Sequence, residues 1–167
     1  MIGKKPAASR YIRVTRWQIV HPFRFERSFL MQRQFSISAT ISAPPDKVYE
    51  AYLSSREHAA MTGSAAKIEN KVSGRFMAWD GYITGTITEL VKNRKIVQTW
   101  RTTEFEAEDP DSTLELTFDA VQDGKGTKLV LTHKNLPEGT EAEYKQGWKD
   151  CYFEPMKEYF KDSKSKP

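Results

Sequence analysis

Thr140-Glu-Ala-Glu-Tyr144-Lys-Gln-Gly147-Trp148-Lys-Asp-Cys151-Tyr152-Phe-Glu-Pro155-Met156-Lys-Glu-Tyr159-Phe160-Lys161 is the stretch whose reading decides the fold. Tyr144, Trp148, Cys151, Tyr152, Met156, Tyr159 and Phe160 recur at steps of three and four. They form one broad apolar stripe on a single helical face. Thr140 followed by Glu143 is the capping-box pattern that opens such a helix. Pro155 removes one backbone donor and is expected to kink the helix there, closing it down or opening a mouth beside Met156. A stripe this rich in aromatics must lie against a wide, concave surface.

The preceding residues supply one. Phe35–Ile41 alternates as a strand and Pro44-Pro45 stops it. Pro45 and Asp46 suit the first turn of a helix running to Leu53. Ser54 and Glu57 mark a second short helix, expected to be exposed and to carry His58, which Gly63 ends. Six further strands are expected near 67–70, 75–79, 82–91, 95–103, 113–121 and 127–134. Asp80-Gly81 is the dipeptide of a two-residue hairpin, and Gly124-Lys125-Gly126 makes another turn. Leu114, Leu116, Phe118 and Ala120 share one strand face, as do Leu129, Leu131 and His133 on the next strand. Ile96, Gln98 and Trp100 line the strand between. The expectation is an α+β domain: a curved antiparallel sheet of six to seven strands wrapped around a long C-terminal helix, with two short helices after the first strand.

Size and charge bound the rest. A chain of 167 residues is of single-domain length and can bury roughly two thirds of its unfolded surface. The net charge of +4 is uneven: residues 1–34 carry +7, residues 35–167 carry −3. The domain itself, residues 35–162, is therefore mildly acidic, which argues against nucleic acid as its partner. For the basic leader, 1–34, three readings compete: an organellar transit segment, a nucleic-acid arm, or an extension upstream of a true start at Met31. Residues 163–167 read as a frayed tail. No stretch approaches the ~20 apolar residues of a membrane span. The lone Cys151 excludes an internal disulfide and reads as a small buried hydrophobe.

Together, the run Gly74-Arg-Phe-Met-Ala-Trp79-Asp80-Gly81-Tyr82-Ile-Thr-Gly85, the strand Lys95-Ile-Val-Gln-Thr-Trp100-Arg101, Thr127-Lys-Leu129 and the pair Gly147-Trp148 leading to Tyr152-Phe153 resemble one known family. It is the carboxy-terminal domain of the activator of the ninety-kilodalton heat-shock protein ATPase. That family sits in the helix-grip, or START-like, group with the birch-pollen allergen, lipid-transfer and polyketide-cyclase domains. The resemblance implies a helix-grip fold with a cavity between sheet and helix, and an Hsp90-type chaperone as a possible partner. It also implies a place in the stress response and a cytoplasmic setting. In that family a separate amino-terminal domain supplies the main docking surface, and the leader does not resemble it.

Candidate chemistry is sparse. The chain carries no nucleophile elbow, zinc-ligand spacing, phosphate-cradling loop or dinucleotide fingerprint, so neither cofactor nor metal is expected, and no enzyme. Trp100, Phe118, Leu131, His133, Trp148, Tyr152 and Met156 are the candidates to line a cavity for a small apolar molecule. The plainer alternative is core packing. His133 is either a structural histidine or, in a cyclase- or dehydratase-like enzyme, a general base. Trp79, Asp80 and Tyr82 are the candidates for a partner surface. A dry, empty pocket of ~300 Å³ would cost ~7 kcal/mol, comparable with a whole domain's stability of ~5–15 kcal/mol. The aromatics therefore fill such a space, or it is wet, or something occupies it.

Overall fold

Proline and glycine punctuation sets the order of elements in the computed structural model, which describes residues 33–162. Strand β1 (Phe35–Ile41) ends before Pro44-Pro45, and Pro45 starts helix α1 (Pro45–Leu53) with Asp46 in its first turn. In helix α2 (Ser55–Thr62) the Ser54 hydroxyl caps the Glu57 N–H at 3.3 Å. Gly63 ends α2 at φ 75°, a conformation that costs glycine nothing. Strands β2 (Lys67–Ile68), β3 (Arg75–Ala78), β4 (Ile83–Val91), β5 (Lys95–Thr102), β6 (Ser112–Val121) and β7 (Gly126–Lys134) follow. The chain then returns through helix α3 (Glu141–Trp148), a π-helical turn (Lys149–Phe153) and helix α4 (Glu154–Asp162).

The seven strands form one antiparallel sheet in the order β1-β7-β6-β5-β4-β3-β2. Only the β1–β7 pairing breaks the meander, closing the sheet around the helix. Register places apolar residues opposite one another on the inner face: Ile96 with Leu116, Leu116 with Leu131 and Phe118 with Leu129, while Leu114 faces His133. Each such cross-strand pair contributes about 0.2–1 kcal/mol beyond alanine. The register shift between Ile87 and Glu89 bends the sheet, as a bulge does. Nearby, the Phe76 ring covers Gly85 on the neighbouring strand. A Cβ at Gly85 would lie 2.1 Å from the Thr99 carbonyl oxygen and 2.6 Å from that ring. Helices α1, α2 and α4 close the concave side, burying Val48, Tyr49, Tyr52, Leu53, Met156 and Phe160.

Several expectations need correction. Thr140 does not cap α3: its hydroxyl turns back to donate to the Pro137 carbonyl at 2.8 Å. Asp80-Gly81 is not a two-residue hairpin, because Ala78 pairs with Ile83 and leaves a four-residue connection. His58 is not exposed. It is 2% accessible, packed edge-on against Tyr52 and Tyr152. Ala120 breaks the inner face of β6, since burial stops at Phe118. The distortion expected at Pro155 falls one turn earlier. There the Glu154 N–H bonds back to the Lys149 carbonyl, so the helix widens before it meets the ring that cannot donate. Met156 stays buried at that point. Most of the leader (1–32) and the tail (163–167) lie outside the described residues. No described helix is long and apolar enough to cross a membrane.

Candidate functional site

The aromatic stripe of the returning helix meets the ends of β5 and β7. Its key joint is His133, fully buried on β7. The Ser112 hydroxyl donates to the Trp100 carbonyl at 2.7 Å, a group that can only accept. The hydroxyl oxygen therefore accepts from His133 Nε2–H, 2.8 Å away. That leaves Nδ1 bare, and it accepts the Trp148 indole N–H at 3.2 Å. Every donor in this chain has one acceptor, which assigns the neutral Nε2–H tautomer. Burial pushes the imidazole pKa down to about 3, in keeping with that assignment.

Rings pack around this joint. Trp100 stands edge-on to His133 at 4.6 Å and to Tyr144 at 5.0 Å, and Trp148 tilts onto Tyr152 at 4.4 Å. The Tyr144 hydroxyl bonds the Thr102 hydroxyl at 3.0 Å, tying α3 to the end of β5. The Trp100 indole N–H is buried with no partner among the described residues. A second buried group lies behind: the Gln98 amide donates to the Tyr52 hydroxyl at 3.3 Å, and His58 Nδ1 donates to the Tyr52 carbonyl at 2.8 Å. Burial lowers the His58 pKa, opposed in part by that carbonyl bond, and raises those of the Tyr52 and Tyr152 phenols.

The rings fill the space under the helix incompletely. A cleft of about 210 Å³ remains between α3 with the π-helical turn on one side and the ends of β4 and β5 on the other. Trp100 forms its wall together with Trp148 and Tyr152. Trp79 and Tyr82 form its rim, with Tyr82 36% exposed and its hydroxyl donating to Glu104 at 2.7 Å. Glu143, Tyr144, Gly147 and Cys151 complete the helical side, and Ile83 the sheet side. Trp79, Asp80 and Gly81 stand at φ 53°, 54° and 92° in succession. A left-handed conformation is costly for a tryptophan, on the order of 1–3 kcal/mol, and such strain gathers at functional sites. Here it turns the Trp79 indole toward Tyr152, 6.2 Å between ring centres.

The structure thus brings together Trp100, Trp148 and Tyr152 from one set of sequence candidates and Trp79 and Tyr82 from the other. Asp80 is exposed on the adjoining turn. Phe118, Leu131, His133 and Met156 do not line the cleft. Phe118 packs edge-on against Tyr49 at 5.5 Å, Leu131 and Met156 are core, and His133 sits behind Trp100 and Trp148. Sequence reasoning passed over Tyr144 and Gly147 as site residues. Tyr144 carried a signal, since it lies one helical turn before Trp148; Gly147 is marked only by the structure, where no atom lies within 4 Å of an added Cβ. Among the described residues no cluster of three or more metal-ligating side chains occurs.

The family model for Activator of Hsp90 ATPase homolog 1-like protein matches residues 42–161. The human activator of 90 kDa heat shock protein ATPase homolog 1 is 28% identical over 127 residues, 76% of this chain and 37% of that protein. The chain thus spans little more than a third of that curated relative. Among solved structures, an HSP90 activator from Plasmodium falciparum superposes with a TM-score of 0.67 at 32% identity, covering 73% of this chain and 91% of that one. CalU16 from Micromonospora echinospora, at 24% identity and a TM-score of 0.63, covers 76% of this chain and 75% of its own, and shows the shared fold.

Proposed function

The chain belongs to the family of Activator of Hsp90 ATPase homolog 1-like proteins, and from that premise we propose that it is a non-catalytic partner of an Hsp90-type chaperone. The observation that carries this reading is the likeness to the Plasmodium falciparum HSP90 activator, nearly all of whose solved chain aligns with this domain. A catalytic reading finds little support. His133, the one candidate base, has both ring nitrogens engaged by Ser112 and Trp148 and does not reach the cleft. The test is the ATPase of the Hsp90-type chaperone from the same cells, titrated with the full chain. Saturable binding with a raised turnover is expected. An unchanged rate, with no pull-down at high micromolar concentration, removes the reading.

The aromatic cleft favours a second reading, compatible with the first, in which the domain holds a small molecule. Apolar, concave sites with a few polar groups are where ligands bind. The widened turn of the helix contributes Cys151 and Tyr152 to the cleft, and such π turns recur at functional sites. Thermal unfolding in the presence of a library of small aromatic compounds tests it. A raised midpoint with some members is expected, and no shift with any of them removes it.

A further inference from the structure

Six aromatic side chains, Trp79, Tyr82, Trp100, Tyr144, Trp148 and Tyr152, surround the cleft, and among the described residues no Lys or Arg lines it. We propose that its ligand is a small organic cation: an ammonium group carried on an apolar body about the size of a substituted benzene ring. This rests on the small-molecule reading above.

Size comes first. An apolar cavity of about 150 Å³ holds benzene, so about 210 Å³ accepts a ring with a bulky substituent. Charge selects among molecules of that size. Ring faces carry the negative lobe of the aromatic quadrupole and attract cations, tryptophan most strongly. Carboxylates stand on both banks: Glu143 on the helical side, and Glu104 bonded to the rim hydroxyl of Tyr82 on the sheet side. Their field reaches into the site. Burial raises the pKa of the Tyr144 phenol, the Thr102 hydrogen bond opposes that shift, and the carboxylates of Glu104, Glu143 and Asp109 add to it. Arg101, at the end of β5, is engaged by Asp111 at 2.7 Å and by the carbonyls of Glu106 and Asp109. An anion would meet those carboxylates. A small inorganic cation would demand oxygen ligands that ring faces do not supply. A neutral molecule would gain from the walls but nothing from the banks. An alkylated ammonium gains from both, because its charge is spread over weakly hydrated methyl groups.

The test titrates the full chain with phenyltrimethylammonium and with its neutral isostere tert-butylbenzene, following tryptophan fluorescence. The cation is expected to bind about tenfold tighter or better. The margin should shrink severalfold in the double variant Glu104→Gln/Glu143→Gln, both of whose sites are exposed. It should also shrink at high salt in the wild-type chain, a readout independent of any variant. Equal binding of the two probes overturns the cation while leaving the small-molecule reading in place. Failure of the cation to bind overturns the proposal, whereas the small-molecule reading falls only if the compound library also gives no shift.

Discussion

The Trp148 indole donates to His133 Nδ1 across 3.2 Å and so fastens helix α3 to strand β7. Both groups are buried, and the imidazole's other nitrogen is taken by Ser112. Trp148→Phe would leave the buried Nδ1 without its donor. An orphaned buried acceptor costs about 1–3 kcal/mol. The variant should lose that much in urea denaturation, with an unchanged denaturant slope. A loss of a few tenths of a kcal/mol would mean the bond contributes little.

Two neutral histidines make the fold acid-sensitive. Unfolded, each imidazole binds a proton below its ordinary pKa of 6.5. Folded, His133 does so only near pH 3, and His58 is shifted in the same direction. Their contribution is thus fully present above pH 6.5 and is lost as pH falls toward the folded values. By linkage, His133 alone should remove roughly 2 kcal/mol between pH 7.5 and 5. Urea denaturation at those two pH values checks this, and equal stability at both would contradict the neutral assignment.

Gly147 sits in α3 facing open space. Gly147→Ala should therefore stabilise the chain by about 0.5–1 kcal/mol through helix propensity. A larger side chain, as in Gly147→Leu, projects into the cleft and should fill it while the domain stays folded. Thermal unfolding of the two variants separates these effects from core damage. A large drop in midpoint for either would show that the space is not free.

Gly85 is the opposite case. A methyl there has nowhere to go, because the Thr99 carbonyl and the Phe76 ring already touch the position. Gly85→Ala should cost about 3 kcal/mol or more, the upper end for overpacking. Near-wild-type thermal stability would mean β3 and β4 can part more easily than their register implies.

Much of the architecture was legible because its physics is local. Period-two alternation in Leu114–Phe118, the proline stop at Pro44-Pro45 and the glycine at 63 each act within a few residues. The spacing of the final stripe also told which face is buried. What sequence could not show depends on contacts between distant elements. His58 sits among polar neighbours in sequence, yet its ring is enclosed by Tyr52 and Tyr152. Trp79 and Tyr82 looked like a surface hairpin, and only the left-handed run through Trp79 and Asp80 turns them to the rim of the cleft. His133 looked like a lining residue by alternation. It is separated from the cleft because Trp100 and Trp148 close over it. The widened helical turn has no sequence signature beyond Pro155, which forces a distortion without fixing where it falls.

The most direct test of the cleft as a binding site is native mass spectrometry of the chain purified from its own cells, beside Gly147→Leu purified identically. The wild-type chain should carry a small adduct that the variant lacks. A wild-type chain that flies at its bare mass, or an adduct retained equally by Gly147→Leu, would contradict the account.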